Sequence, residues 1–221
     1  MKTTLKKISA KAVLLLCIMS VMSFSFVLTG CGDDKPAAKE NSATEASSKI
    51  STDDVANLGN TAVIDVKDYG KITVELKPDI APITVGNFKK LVSEHFYDGL
   101  TFHRIMEGFM MQGGDPNGNG TGSSDVRIAG EFSQNGYQNP LSHTRGCISM
   151  ARAKDPNSAS CQFFIVHQDS DFLDGQYASF GYVTEGMEVV DAICADAQPT
   201  DDNGTIPAEA QPVIESITIR E

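Results

Sequence analysis

The fold of this chain is decided by residues 96–115, whose sequence is FYDGLTFHRIMEGFMMQGGD. Two apolar, strand-like runs, residues 100–106 and 109–112, are separated at Gly108 and followed by the turn sequence GGDP. Arg104 lies inside the first run, although hydrophobic strands rarely hold an arginine unless it is paired or faces a site. The pattern therefore predicts a β-hairpin of a core sheet, and it leaves open whether Arg104 faces solvent or a functional site.

Alternating or β-branched apolar runs on both sides of this hairpin predict further strands. They lie at residues 61–66, 72–76, 146–151, 162–166, 179–183 and 213–219. One helix is predicted to begin at Pro82, with Val85, Phe88, Val92 and Phe96 at helical spacing, and a second over residues 187–195. About eight strands and two helices describe a mainly β protein and are compatible with a closed antiparallel barrel.

Residues 1–30 have the composition of a targeting segment. Four lysines precede an apolar run over residues 12–28, and small residues then lead to Cys31. A transmembrane helix is the alternative, because the run is nearly long enough to cross a bilayer. A polar, low-complexity segment follows at once, which favours a signal peptide that is removed.

Residues 32–60 hold few large apolar side chains and are rich in Asp, Lys, Ala, Ser, Glu and Thr. Such a composition cannot bury enough surface to order itself, so we predict a flexible polar tether with a root-mean-square reach of roughly 30 Å. A disordered stretch with no spacer role fits the same composition. The predicted organisation is a signal peptide over 1–30, Cys31 and the tether over 31–60, and one domain over 61–221.

The charge balance restricts the partners. The formal net charge is −11, and residues 1–30 hold four of the lysines and no acidic residue, so the remainder is more acidic still. A body of this charge is not suited to nucleic acid or to anionic lipid as a direct partner.

Three of the five cysteines, Cys147, Cys161 and Cys194, lie in the predicted domain, and their spacing is not that of a metal site. We interpret them as small buried residues. A disulfide stays open as the alternative, because an exported location permits one.

Several catalytic and metal-binding patterns are excluded. Residues 113–122, GGDPNGNGTG, begin like a calcium loop at Asp115, but the twelfth position is Val126 instead of a bidentate Glu. No phosphate loop ending in Gly-Lys-Ser/Thr, no H-E-x-x-H pair and no G-x-S-x-G elbow is present. We therefore expect no metal and no hydrolase activity, and His103 is expected to be structural.

The central stretch resembles the signature of the cyclophilin family of peptidyl-prolyl cis-trans isomerases. The matching positions are Phe96-Tyr97, Phe102-His103-Arg104, Gly108-Phe109 and QGGD at residues 112–115. SCQFFI at residues 160–165 and FLDG at 172–175, followed by Phe180-Gly181, are similar to two further blocks of the family. The likeness runs from about Ala62 to the C-terminus. It implies a closed eight-stranded antiparallel barrel with a helix at each end and a binding groove on its outer surface.

The reaction of this family is the isomerisation of the peptide bond before proline, which crosses a barrier of about 20 kcal/mol unaided. In the transition state the bond is twisted and the proline nitrogen gains a free lone pair. A catalyst needs a donor aimed at that nitrogen, and no cofactor, metal or nucleophile. The resemblance places Arg104 in this role, which suits a side chain that always carries donors.

The resemblance implies the remaining site residues as well. Gln112 would orient Arg104 and the substrate, while Ala151 and Gln162 would bind or flank the peptide backbone. The apolar pocket for the proline ring would be walled by Phe109, Met110, Phe164 and Leu173. Because Phe163 and Phe164 are adjacent on a strand, one of them is expected to face the core and the other the site.

Three substrate-binding positions depart from the best-known members. Phe172 stands where they carry Trp, Tyr177 where they carry His, and Arg152 where an Asn often contributes a backbone carbonyl. The Trp of the family supports cyclosporin binding, so weaker sensitivity to that drug is expected here.

The sequence LTGC at residues 28–31 resembles a bacterial lipobox, in which the signal is cleaved and the cysteine is lipidated. This implies a lipid anchor on Cys31 and an outward-facing location at the cell membrane. We then expect a monomeric, cofactor-independent isomerase that acts on proline-containing segments of exported proteins and assists their folding. The alternative is a surface-tethered module or chaperone that binds proline peptides with little turnover.

Overall fold

A single antiparallel sheet of eight strands forms the frame of residues 57–221, the part of the chain that this computed structural model describes. The signal peptide, Cys31 and the tether up to residue 56 lie outside the described residues. The strands are β1 (Thr61–Val66), β2 (Gly70–Leu76), β3 (Phe102–Met106), β4 (Met110–Gly113), β5 (Cys147–Met150), β6 (Phe163–Val166), β7 (Ser179–Glu185) and β8 (Ile214–Arg220). Their order across the sheet is β3-β4-β6-β5-β7-β2-β1-β8.

The sheet is a curled half-barrel, so the prediction of eight antiparallel strands is confirmed and that of a closed barrel is wrong. Strands β3 and β8 are its two ends and form no ladder with each other. Contact is limited to their first residues and the segments just before them, where Thr101 bridges Val213, Phe102 N–H donates to the Pro212 carbonyl at 3.0 Å and Ile214 N–H donates to the Leu100 carbonyl at 2.8 Å. The reason lies in residues 197–211, because Ile105 N–H donates to the Gly204 carbonyl at 2.8 Å and Ile206 N–H to that of His103 at 3.0 Å. This loop occupies the edge of β3 that β8 would need.

Two helices accompany the sheet, as predicted. Helix α1 (Pro82–Ser93) packs on β8, and helix α2 (Met187–Asp196) packs on β2. The buried carboxylate of Glu131 accepts the free N–H groups of Ile83 and Thr84 at 3.0 and 2.7 Å, which places a negative charge at the positive end of α1. Neither helix among residues 57–221 has the length and apolar character needed to cross a bilayer.

Helix α1 ends earlier than its apolar spacing predicts. It stops at Ser93, before Phe96, because His95 takes a left-handed backbone conformation with φ of +55°. Phe96 still packs against the core, where its ring lies edge-on to that of Tyr97 at 5.5 Å.

The main core fills the concave side of the sheet and contains an aromatic cluster around Phe88, whose ring lies 5.3 Å from Phe180 and 5.7 Å from Phe163. A smaller cluster on the opposite face contains Phe164 and Leu173. The prediction that Phe163 and Phe164 point to opposite faces is therefore confirmed. Cys147, Cys161 and Cys194 are all free and buried, as the simpler interpretation predicted.

The glycine-rich loop after β4 is organised by Asp115. Burial raises the pKa of this carboxyl, but hydrogen bonds from the backbone N–H groups of Asn117, Asn119 and Gly120 outweigh burial and hold the pKa below its usual 3.8. Within residues 57–221, no group of three or more His, Cys, Asp or Glu side chains is arranged to hold a metal ion.

Candidate active site

The β3–β4 hairpin displays the first half of the site. Arg104 is opposite Gln112, and Met106 is opposite Met110, so alternation carries these side chains to the same face of the sheet. Gly108 turns the hairpin with φ of +78°, a conformation that residues with a Cβ rarely adopt. The intervening Ile105 and Met111 belong to the core on the other face.

Arg104 is half-buried, and its guanidinium has an unusual set of neighbours. Nε donates to the Asn203 carbonyl at 2.7 Å, and one terminal nitrogen lies 3.3 Å from Gln112 Oε1. The other lies 3.3 Å from the Met106 sulfur, and the ring of Phe109 is 5.9 Å from the guanidinium carbon. Burial lowers the pKa of Arg104 from 12.5, which still leaves it charged at neutral pH. No described carboxylate forms an ion pair with it, so its donors stay available to a ligand.

Gln112 is fixed by a second glutamine. Its Nε2 donates to Gln162 Oε1 at 2.9 Å, and Gln162 Nε2 donates to the Gly122 carbonyl at 2.8 Å. Because the Gly122 carbonyl can only accept, Gln162 must turn its NH₂ group towards Gly122 and its oxygen towards Gln112. Gln112 therefore presents its oxygen to Arg104.

A pocket walled mainly by apolar and aromatic side chains opens beside the guanidinium, with a volume of about 170 Å³. Phe164 is only 5% exposed and stacks face to face on the buried ring of His143 at 5.9 Å. The lining combines the predicted residues Arg104, Phe109, Met110, Gln112, Ala151, Arg152, Phe164, Leu173 and Tyr177. A pocket of this size next to a cationic donor can take one small ring.

Two predicted residues lie at the margin of this pocket. Phe172 is 66% exposed and stacks on Phe109 at 5.7 Å, so it contacts the pocket wall instead of the pocket itself. Gln162 lines an adjoining polar pocket of about 340 Å³, together with Arg127 and Ser158. Cys31, the predicted lipidation site, lies outside the described residues.

The backbone of Ala151 is already committed on one side. Its N–H donates to the Gln162 carbonyl at 2.9 Å. Only its carbonyl is therefore left to bind a peptide backbone, which refines the predicted role of this residue.

A buried polar network supports the pocket from behind. His143 lies 2.7 Å from Asp174 through Nδ1 and 3.0 Å from the Ser149 hydroxyl through Nε2. Burial lowers the pKa of His143, and Asp174 partly opposes this shift. The arrangement contains the elements of a Ser-His-Asp triad, but His143 is fully buried under Phe164, so no substrate reaches it. His103 is also almost fully buried, and burial lowers its pKa.

Sequence reasoning missed two contacts of the site. The Asn203 carbonyl that holds Arg104 belongs to a loop without periodicity, and a backbone acceptor leaves no mark on the residue type. The network around His143 was missed as well. In the sequence this network shows only as a histidine before a strand that carries a serine. That pattern is common in protein cores and does not identify a site.

The comparisons with known proteins agree on one family. The family "Cyclophilin type peptidyl-prolyl cis-trans isomerase/CLD" matches residues 61–219. Peptidyl-prolyl cis-trans isomerase B of Bacillus subtilis is 48% identical over 123 residues, which are 56% of this chain and 82% of that protein. A peptidyl-prolyl cis-trans isomerase of Helicobacter pylori is 44% identical over 139 residues, 62% of this chain and 83% of that protein.

A solved structure shows the same fold. The cyclophilin-type isomerase of Cryptosporidium parvum, crystallised in the presence of the dipeptide Ala-Pro, has a TM-score of 0.64 and 29% identity. The match covers 73% of this chain and 99% of that one. The chain therefore belongs to the cyclophilin family of peptidyl-prolyl cis-trans isomerases, a class of enzyme that needs no cofactor.

Proposed function

We propose that this isomerase acts on exported proteins outside the cytoplasmic membrane, held there by a lipid on Cys31, and that Arg104 is its catalytic donor. The substrates are segments that contain X-Pro bonds, and faster isomerisation assists their folding. The observation that carries the site assignment is the half-buried Arg104 guanidinium, which has no described carboxylate partner and lies at the mouth of a proline-sized apolar pocket.

In the proposed mechanism the proline ring enters the pocket walled by Phe109, Met110, Phe164 and Leu173, which fixes the ring while the preceding carbonyl rotates. Arg104 donates to the proline nitrogen only when that nitrogen has become pyramidal. A charge-assisted hydrogen bond of this kind contributes about 1.5–3 kcal/mol, or roughly ten- to over a hundred-fold in rate. The rest of the acceleration comes from desolvation and from holding the peptide in place.

Gln112 and Gln162 serve this mechanism by position. Their hydrogen bonds hold the Gln112 oxygen towards Arg104, so the guanidinium is oriented before substrate binds. A side chain that is already oriented loses no further conformational freedom when it donates in the transition state. The carbonyl of Ala151 is the proposed acceptor for the peptide backbone.

The proposed location is supported by the sequence before the domain and by the way the domain begins. The LTGC sequence at residues 28–31 precedes the polar stretch over residues 32–60. Lys89 of α1 donates to the Leu58 carbonyl and to Asn60 Oδ1, both at 2.8 Å, which fixes the chain where the tether enters the domain. An acidic domain contributes no attraction to an anionic membrane, so the lipid would supply the whole attachment.

Fractionation of cells that express the full chain tests this location. We expect Cys31→Ala to release the protein from membranes or to block removal of the signal, whereas Cys17→Ala, inside the same apolar run, leaves membrane attachment unchanged. Wild-type protein should be digested by protease added to cells whose cytoplasmic membrane is intact. Fully processed Cys31→Ala protein that stays in the membrane fraction, or wild-type protein that resists the protease, would show that the proposed location is wrong.

A further inference from the structure

Arg152, in the loop after β5, is enclosed by two aromatic rings. Its guanidinium carbon lies 5.1 Å from the ring centre of Phe132 and 4.7 Å from that of Tyr177. Phe132 is a buried core residue, whereas Tyr177 lines the proline pocket. Arg152 therefore links the core to one wall of the site.

The ring of Tyr177 continues this arrangement towards the substrate. It meets Phe164 edge to face, with ring centres 5.8 Å apart and an angle of 86°. Phe132, Arg152, Tyr177 and Phe164 thus contact one another in this order in space, and we call these four side chains the ring column. The column ends on the residue that forms the buried wall of the proline pocket.

The hydrogen bonds of Arg152 also connect its loop to the segment that carries Tyr177. Nε donates to the Gln176 carbonyl at 2.9 Å, and a terminal nitrogen donates to the Ala153 carbonyl at 2.9 Å. Gln176 in turn donates from its side chain to the Phe172 carbonyl at 2.7 Å. The side chain of Arg152 thus ties its own loop to residues 172–177, which carry the far wall of the pocket.

The backbone explains why a side chain is needed here. Met150 N–H still donates to the Ala178 carbonyl at 3.0 Å, but the Ala151 N–H turns to Gln162. The next connection between the two walls is made by Arg152 Nε. The turn of residues 172–177 is also held by Gln134 N–H, which donates to the Gly175 carbonyl at 3.0 Å, and by the contact of Asp174 with His143. Without Arg152, however, the ring of Tyr177 keeps only its edge contacts with Phe164 and His143.

The charge of Arg152 has no other use in the described structure. It forms no ion pair with any carboxylate of residues 57–221, and its neighbours are ring faces and carbonyl oxygens. A planar guanidinium can stack between two rings while its edge donates hydrogen bonds, and an ammonium cannot do both.

We propose that Arg152 is a positioning residue, which holds Tyr177 against Phe164 and so sets the width of the proline pocket. The inference rests on the proposed role of this pocket in binding proline. Arg152 lines the pocket beside Tyr177, and we assign its effect to holding that ring and not to a bond with the substrate. It affects how tightly the proline ring is held, because Arg152 has no hydrogen bond to the donor Arg104 or to Gln112 and Gln162.

A double-mutant cycle tests this role, with kcat and KM measured for a proline tetrapeptide. We expect Arg152→Ala to raise KM about five- to tenfold, since two stacking contacts are lost, while kcat changes less than about twofold. Arg152→Lys should recover only a minor part of the loss. In a Tyr177→Leu background, Arg152→Ala should raise KM less than about twofold, because the wall it positions is already gone.

The outcomes separate the alternatives. An unchanged KM in Arg152→Ala overturns the inference. An equal rise in KM when Arg152→Ala is made in the wild type and in Tyr177→Leu also overturns it, because Arg152 would then contact the substrate directly. If Arg152→Ala lacks a thermal transition, Arg152→Lys carries the same cycle. Arg104→Ala in the same assay tests the pocket itself. Full activity of that variant would refute both the site and this inference, whereas an impaired Arg104→Ala with a silent Arg152→Ala refutes the inference alone.

Discussion

Substitution of Arg104 is the sharpest test of the catalytic assignment. Arg104 is opposite Gln112 in the β3–β4 hairpin and lines the apolar pocket. Arg104→Ala removes the only guanidinium of that hairpin. If the donor acts only in the transition state, the loss is about 1.5–3 kcal/mol, and kcat/KM should fall roughly ten- to over a hundred-fold. Arg104→Lys should recover little, because an ammonium cannot bond to the Asn203 carbonyl, to Gln112 and to the substrate in one plane.

The stability of the same variant is predicted to change far less than its activity. Arg104 forms no ion pair with any carboxylate of residues 57–221, so the main loss is its partly exposed hydrogen bond to the Asn203 carbonyl, about 0.5–1.5 kcal/mol. For a domain of this size that corresponds to a melting temperature lower by about 1–6 °C. Activity and thermal unfolding should therefore respond very differently to one substitution.

The assay is the isomerisation of a proline tetrapeptide, with the melting temperature measured on the same sample. Arg145→Ala is a matched control, since Arg145 pairs with Asp191 at 2.7 Å, away from the pocket lining, and its loss should leave kcat/KM unchanged. Full activity of Arg104→Ala would refute the assignment. If activity and the thermal transition were lost together, Arg104→Lys would decide.

Four further outcomes are expected. Phe172 offers less contact area than Trp and no indole N–H, so cyclosporin should inhibit weakly and Phe172→Trp should restore part of the inhibition; equal inhibition of the two proteins would contradict this. The profile of kcat/KM should be nearly flat from about pH 6 to 8, because burial lowers the pKa of His143 and no titrating group transfers a proton. Since burial raises the pKa of Cys147 and Cys194 to about 12, a thiol reagent should label neither before the domain unfolds. Asp115→Asn should destabilise the domain by about 1–3 kcal/mol at neutral pH. The folded pKa of this carboxyl is depressed, so its contribution to stability is present above the unfolded value of 3.8 and is lost as the pH falls below it. The melting temperatures of the wild type and of Asp115→Asn should therefore converge in acid.

The strands and helices could be predicted because their signals are local. Alternation in Gly70–Leu76 reflects one buried face, with Ile72, Val74 and Leu76 in the core, and Pro82 marks the start of α1. The open edge of the sheet could not be predicted in this way. It depends on the backbone of residues 203–206, and hydrogen bonds made by backbone atoms leave no pattern in the residue types.

The same distinction applies to the site. The partnership of Arg104 with Gln112 was implied by the resemblance of this hairpin to the family signature, and the two residues are opposite each other. The contact of Arg152 with Phe132 joins two loops separated in sequence by a strand, and neither loop carries a periodic signal. Prediction from sequence therefore identifies residues that act where their own element places them, and misses residues whose effect depends on long-range packing.

The position of β1 has a consequence for the order in which the chain can fold. β1 is not at an edge of the sheet, since it pairs with β2 on one side and with the C-terminal strand β8 on the other, Thr61 opposite Arg220. During synthesis β1 cannot form its ladder with β8 until the residues of β8 have been made. Contacts between such distant residues slow folding, because a long loop must close before they contribute. Until then β1 presents an unpaired edge to other chains, so the folding of this domain should be most vulnerable to aggregation in the interval before its last strand is complete.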